Sequence, residues 1–139
     1  MKAIVVYDTK FGNTEQVAKG IAKVLSADLI KATEIDPAKL KAYDTFVFGS
    51  PTHAWNMSSG MKKVFNKLKD HSFEGKKAAA FDTKFKSRFA GSAAKKIQSK
   101  LKKLDFTIAM EPISFIVVGN EGPLADDEMD KVKTFSVLL

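Results

Sequence analysis

The sequence has no cysteine. Disulfides, thiol nucleophiles and zinc or iron–sulfur sites held by cysteine are thereby excluded. Histidine is nearly as scarce: His53 and His71 are the whole complement, too few for a histidine-rich metal centre. No apolar run reaches the roughly 18 residues that a membrane-spanning helix needs, and the first residues do not read as a charged stretch followed by an apolar one. The expectation is a cytoplasmic protein with no membrane partner. Linkers, internal repeats and low-complexity tracts are also missing, so one domain over residues 1–139 is expected.

At 45% hydrophobic residues, the 139-residue chain has enough apolar material for a real core. Acids are in the minority, and the formal charge is +7. Such a surface attracts acidic partners. The lysines fall on the outer faces of predicted helices, as Lys62, Lys63, Lys67 and Lys69 in one and Lys95, Lys96, Lys100, Lys102 and Lys103 in another. They form no single arm or tract, and no nucleic-acid module accompanies them. Solvated helix faces are therefore expected, with no nucleic-acid partner.

Residues 2–7, Lys-Ala-Ile-Val-Val-Tyr, read as a strand buried on both faces. Ala18, Ile21, Ala22 and Leu25 then recur at helical spacing and form one apolar stripe. Between strand and helix stand Thr9, Lys10, Phe11, Gly12, Asn13 and Thr14. A loop in that place aims its amides and hydroxyls at the positive end of a helix dipole, which suits a phosphate. The same residue types also make an ordinary capping turn.

Further strands are expected at 28–32, 45–49, 77–81 and 106–118, the last interrupted at Glu111-Pro112 because proline cannot donate to a ladder. Helices are expected around Met61, Val64, Phe65 and Leu68, around Ala94, Ile97, Leu101 and Leu104, and over 126–139, with Ser92 or Gly91 as a cap. Alternating strands and helices define a doubly wound α/β domain with a parallel sheet. In such sheets, ligands bind at the carboxyl ends of the strands. Three loops leave those ends: 9–14, 50–56 and 82–91.

The stretches Tyr7-Asp8-Thr9-Lys10-Phe11-Gly12-Asn13-Thr14, Gly49-Ser50-Pro51-Thr52-His53-Ala54-Trp55 and Phe81-Asp82-Thr83 together resemble the short-chain flavodoxins, over essentially the whole chain. The resemblance implies a three-layer sandwich with a five-stranded parallel sheet in the order 2-1-3-4-5. It implies FMN, held noncovalently and used to carry electrons between redox partner proteins. Thr9 and Thr14 match phosphate-binding hydroxyls, and Gly12 and Asn13 match backbone donors. Phe11 stands where many flavodoxins have Ser or Thr. An aromatic residue there is similar to the flavodoxin-like domains of diiron flavoproteins and of FMN-dependent quinone reductases. An FMN-dependent reductase of quinones or similar small acceptors is thus the alternative. Lys10 either adds charge to the cradle or is solvated.

By the same resemblance, Pro51, Thr52, His53, Ala54, Trp55 and Asn56 flank the flavin ring, with Trp55 on it or, alternatively, in a lid or core, and with His53 equally readable as a surface histidine. Asp82, Thr83, Phe85, Phe89 and Gly91 close the other side, and either phenylalanine can instead face the core. Arg88 is placed to favour the reduced flavin anion. Ala54 sits where the family often has glycine, and a positive φ at alanine costs about 1 kcal/mol or more. The family is commonly acidic, whereas this chain is basic; a less negative potential and redox partners with acidic docking surfaces are expected, with the chain itself a monomer.

Overall fold

The computed structural model describes residues 1–86, 91–119 and 121–139. An inner strand of its sheet is β1 (Ala3–Tyr7), every residue of which is buried. Two neighbours run parallel to it: β2 (Asp28–Lys31) pairs along one edge from Ile4, and β3 (Thr45–His53) along the other from Ala3. β5 (Lys77–Phe85) continues the sheet beyond β3. Next come two short segments, β6 (Thr107–Ile108) and β7 (Ile113–Val117), which pair parallel with the beginning and the end of β5. The order is therefore the expected 2-1-3-4-5, with the fifth position divided between β6 and β7 at the expected Glu111-Pro112 interruption.

The helices cover both faces. On one side, α1 (Asn13–Leu25) and α5 (Glu128–Val137) pack with Val5, Tyr7, Val47, Ala79, Phe81 and Phe115. On the other, α3 (Ser59–Leu68) and α4 (Ala93–Lys103) cover Ile4, Val6, Phe46, Phe48, Ala78 and Ala80. The strands thus alternate face by face while staying apolar on both, as a sheet covered on both faces must. The alanines of β5 leave room for α4 to lie close, and Ala93 and Ala94 at its start are fully buried. A single turn, α2 (Pro37–Leu40), is capped by Asp36, whose carboxylate accepts from the Ala38 amide with Pro37 at the first helical position.

Two strands run further than expected. β3 was predicted to stop at Gly49 and β5 at Phe81, but their pairing continues through Ser50↔Asp82 and Pro51↔Thr83. β3 then reverses: His53 pairs with Asn56 and Thr52 with Met57, so β4 (Asn56–Met57) closes a two-residue hairpin. Ala54 and Trp55 form its turn with φ of 48° and 65°, the left-handed pair of a type I′ turn. Asn-Gly or Asp-Gly announces such a turn; Ala-Trp does not, and the stretch reads as loop in sequence. Among the described residues, no helix is long and apolar enough to cross a membrane.

Candidate functional site

A cavity of about 530 Å³ opens at the carboxyl ends of β1, β3 and β5. The 9–14 loop forms its first wall. Gly12 caps α1 with a φ of 94°, a conformation natural to glycine, and donates its amide to Thr9 Oγ1 at 3.0 Å. No side chain caps α1, and no hydrogen bond among the described residues takes up the amides of Asn13, Thr14 and Glu15. These donors and the helix dipole face whatever occupies this end. Thr14 Oγ1 lies 2.7 Å from Thr83 Oγ1 in a buried contact that ties α1 to β5. Two hydroxyls sharing one hydrogen bond retain one proton for a further acceptor.

The second wall is the end of β3, with Pro51, Thr52, His53 and Ala54 facing the cavity. Thr52 Oγ1 also accepts from the Ala93 amide at 3.1 Å, which fixes the hairpin against the start of α4. Polar links between the loops are buried at the base: Ser58 Oγ donates to Asp8 Oδ2 at 2.5 Å, and Ser50 Oγ accepts from the Ser58 amide at 2.9 Å. The third wall is the end of β5, namely Thr83, Lys84 and Phe85.

Phe11, Trp55 and Phe85 are 48%, 61% and 43% exposed, and no other aromatic residue among those described is so open. All three stand on this edge of the sheet. Lys10 Nζ lies 5.2 Å from the centre of the Phe11 ring, a cation–π approach at the rim.

Not every expected residue lines the cavity. Asp82 is fully buried and turned to α4, where its Oδ2 accepts from the Ala94 amide at 2.9 Å and from Ser92 Oγ at 2.7 Å. Its carboxylate adds an acceptor to the first turn of α4, whose N-cap residue is Ser92. Trp55 and Gly91 touch each other in a β-bridge and line a neighbouring groove. A Cβ on Gly91 would lie 2.5 Å from Trp55 Cδ1, so only glycine allows that approach. Asn56 turns its side chain onto the Met57 amide at 2.7 Å. Phe89 and Arg88 lie outside the described residues.

Three lining residues were not anticipated: Lys84, Val117 and Glu121. Lys84 follows from the extension of β5. Glu121 arrives through a long-range contact, in which Asn13 Nδ2 donates to the Glu121 carbonyl at 2.9 Å. Nothing in the sequence around Glu121 signals where it docks.

The switch point between β1 and β3, with an uncapped helix N-terminus beside it, defines a doubly wound α/β protein with its ligand cavity in the usual crevice. The model of the family described as "Flavodoxin domain" matches residues 4–131, and the chain belongs to the flavodoxin family. It is 33% identical over 89 residues to a flavodoxin of Clostridium saccharobutylicum, an alignment spanning 60% of this chain and only 56% of that protein. An uncharacterised protein of Methanocaldococcus jannaschii is 32% identical over 112 residues, 80% of this chain and 73% of its own length. Among solved structures, oxidised flavodoxin 1 of Bacillus cereus superposes with a TM-score of 0.87 at 20% identity, covering 99% of this chain and 96% of that one. Flavodoxins are FMN-binding redox proteins, and membership gives the chain that general character.

Proposed function

We propose that this chain is an FMN-dependent electron carrier that shuttles electrons between redox partner proteins. The observation that carries the reading is the two-ended chemistry of one cavity. One end has unpaired helix amides with the Thr9 and Thr14 hydroxyls beside Phe11; the wall at the end of β5 has the exposed ring of Phe85, which water solvates poorly. A ligand with an anionic tail and a flat apolar head matches both ends, and FMN is such a ligand. When bound, it supplies the redox chemistry, and the protein supplies orientation and electrostatics.

The amides of Asn13, Thr14 and Glu15, with the hydroxyls of Thr9 and Thr14, would hold the phosphate. Pro51, Thr52, His53 and Ala54 would border the ring on one side, and Thr83 and Phe85 on the other. Phe11 replaces a hydroxyl of the cradle with an apolar wall, while Lys10 and Lys84 bring positive charge to the lining and Glu121 negative. Acidic docking surfaces on the partners follow from the +7 charge of the chain.

A visible spectrum of the purified protein, recorded before and after incubation with FMN, tests this directly. A bound-flavin spectrum is expected, and Thr14→Val should weaken FMN binding by about tenfold, the worth of a buried hydrogen bond to an anion. Protein that stays colourless after incubation overturns the reading. Steady turnover of a quinone with NAD(P)H would favour the reductase alternative instead.

A further inference from the structure

The positive charge of this protein belongs to one face. α3 and α4 lie side by side on the same side of the sheet and carry eight lysines and no acid between them. α1 and α5, on the opposite side, set four lysines against three acids. Between α3 and α4 runs a groove of about 450 Å³. Lys62 and Lys69 stand on one rim and Lys100 and Lys103 on the other, all exposed. The floor is apolar, made by Met57, Phe65 and Leu104, and no carboxylate among the described residues lines it.

Resting on the electron-carrier reading, we propose that this groove docks the redox partner through an acidic segment that inserts an apolar side chain between the lysine rims. Charge complementarity selects the acid. The floor selects the apolar anchor, because a ligand that used charge alone would gain nothing from Met57, Phe65 and Leu104. Lysine stems lying along the rims extend that apolar surface while their ammonium groups stay in water.

A nucleic acid fits less well. Every cation on these two helices is a lysine, whereas arginine is the residue that reads phosphate bidentately. The position also suits electron transfer. The β3–β4 hairpin presents His53 and Ala54 to the cavity and, two residues on, Asn56 and Met57 to the groove. A partner seated in the groove therefore lies against the far side of the turn that borders the flavin cavity.

The probe is a fluorescein-labelled acidic peptide of about 14 residues, four helical turns, with leucines at i, i+3, i+4 and i+7 among glutamates. It is titrated into the full chain, with and without added FMN, while flavin absorbance is followed. Polyglutamate of the same length and a DNA duplex are titrated in parallel. Binding of the leucine-bearing peptide is expected, loosened by salt and weakened by about tenfold or more in Lys62→Glu/Lys100→Glu. Lys19→Glu/Lys23→Glu on α1 should change it by less than about twofold, and the flavin spectrum should be the same in both variants.

The proposal is overturned if the peptide fails to bind at low salt, if polyglutamate binds equally well, if the duplex binds more tightly than the peptide, or if the α1 variant loses as much as the groove variant. Peptide binding by a protein that takes up no FMN would remove the carrier reading and leave the groove standing. FMN uptake without peptide binding would do the reverse.

Discussion

Five phenylalanines interlock beneath α3 and α4, whereas three line up beneath α1 and α5. On the first side Phe106 meets Phe73 at 4.6 Å, Phe46 at 5.0 Å and Phe48 at 6.0 Å between ring centres, and Phe65 packs on Phe48. On the second, Phe115 bridges Phe81 and Phe135 edge to face. The surfaces differ in the opposite sense. The more elaborate core lies under helices whose charged residues are all lysine, and the simpler core under helices that carry the ion pairs Lys19–Glu15 and Lys131–Glu128. One sheet thus supports a layer stabilised from within and a layer stabilised partly along its surface. The uncapped N-terminus that faces the cavity belongs to the second layer.

Truncating one ring on each side measures the difference between the cores. Phe106→Ala should cost about 5 kcal/mol and Phe135→Ala about 3 kcal/mol, the ends of the range for buried phenylalanine, because the first removes three ring contacts and the second one. Urea unfolding of the two variants checks this. Equal losses would mean that the interlocked rings contribute only their buried area.

Alkali should find the α1 side first. Tyr7 is buried against α1, and its hydroxyl donates to Glu15 Oε2 at 2.7 Å. Burial, and then the hydrogen bond to Glu15, raise its pKa to about 12. The folded state therefore holds this proton more tightly than the unfolded chain does. The resulting stability is fully present below pH 10 and is lost as pH rises toward about 12. Thermal melts across that window should fall for the native protein, and Tyr7→Phe should remove roughly 2 kcal/mol of the alkaline loss. A variant that falls as steeply as the parent would place the alkaline sensitivity elsewhere.

How much of this was legible in sequence depends on the range of the signal. The strands β1, β3 and β5 and the helices α1, α3 and α4 follow from local periodicity, since each carries its buried stripe in its own residues. The strand order came from resemblance rather than from pattern. Thr9 and Thr14 were readable because a strand, a hydroxyl-rich turn and a helix adjoin in the chain. Glu121 was not, because its place depends on an Asn13 contact 108 residues away. Asp82 was assigned to the cavity because it follows a strand end, but β5 runs on past it and its side chain serves α4. The one-sided charge is hidden in sequence for a similar reason: α3 and α4 are separate in the chain and become neighbours only on one face of the folded sheet.

The β3–β4 turn lies where the cavity meets the lysine face, and it stores strain. Ala54 adopts a φ of 48° although it has a Cβ. Ala54→Gly should therefore stabilise the protein by about 1 kcal/mol, less the entropy that glycine adds to the unfolded chain. A sequence-based expectation was that alanine would resist this conformation; the fold imposes it, with Thr52 pinned to α4 and Asn56 closing the hairpin. Chemical denaturation of Ala54→Gly measures the difference, and a destabilised variant would show that the turn is not strained at this residue.

The smallest effect separates the two surfaces by sign. Lys96 and Lys100 stand one turn apart on α4 with no acid in the helix to offset them, while Lys131 on α5 faces Glu128 at 2.8 Å. Like charges at this spacing cost a few tenths of a kcal/mol, and opposite charges gain as much. Lys96→Glu converts a repulsive pair into an attractive one in the first half of a helix, where an acid also favours the dipole; it should raise stability by about 0.5 kcal/mol. Lys131→Glu removes its pair with Glu128 and sets like charges together, with no cation three or four residues on to compensate, and should lower stability by a similar amount. Both differences should vanish near 1 M salt, where screening acts within about 3 Å. If charge reversal stabilises α4 and destabilises α5, the lysine face carries a repulsion that a stability-driven sequence would have relieved. Its retention then points to binding, where unpaired cations become useful only when an acidic surface arrives.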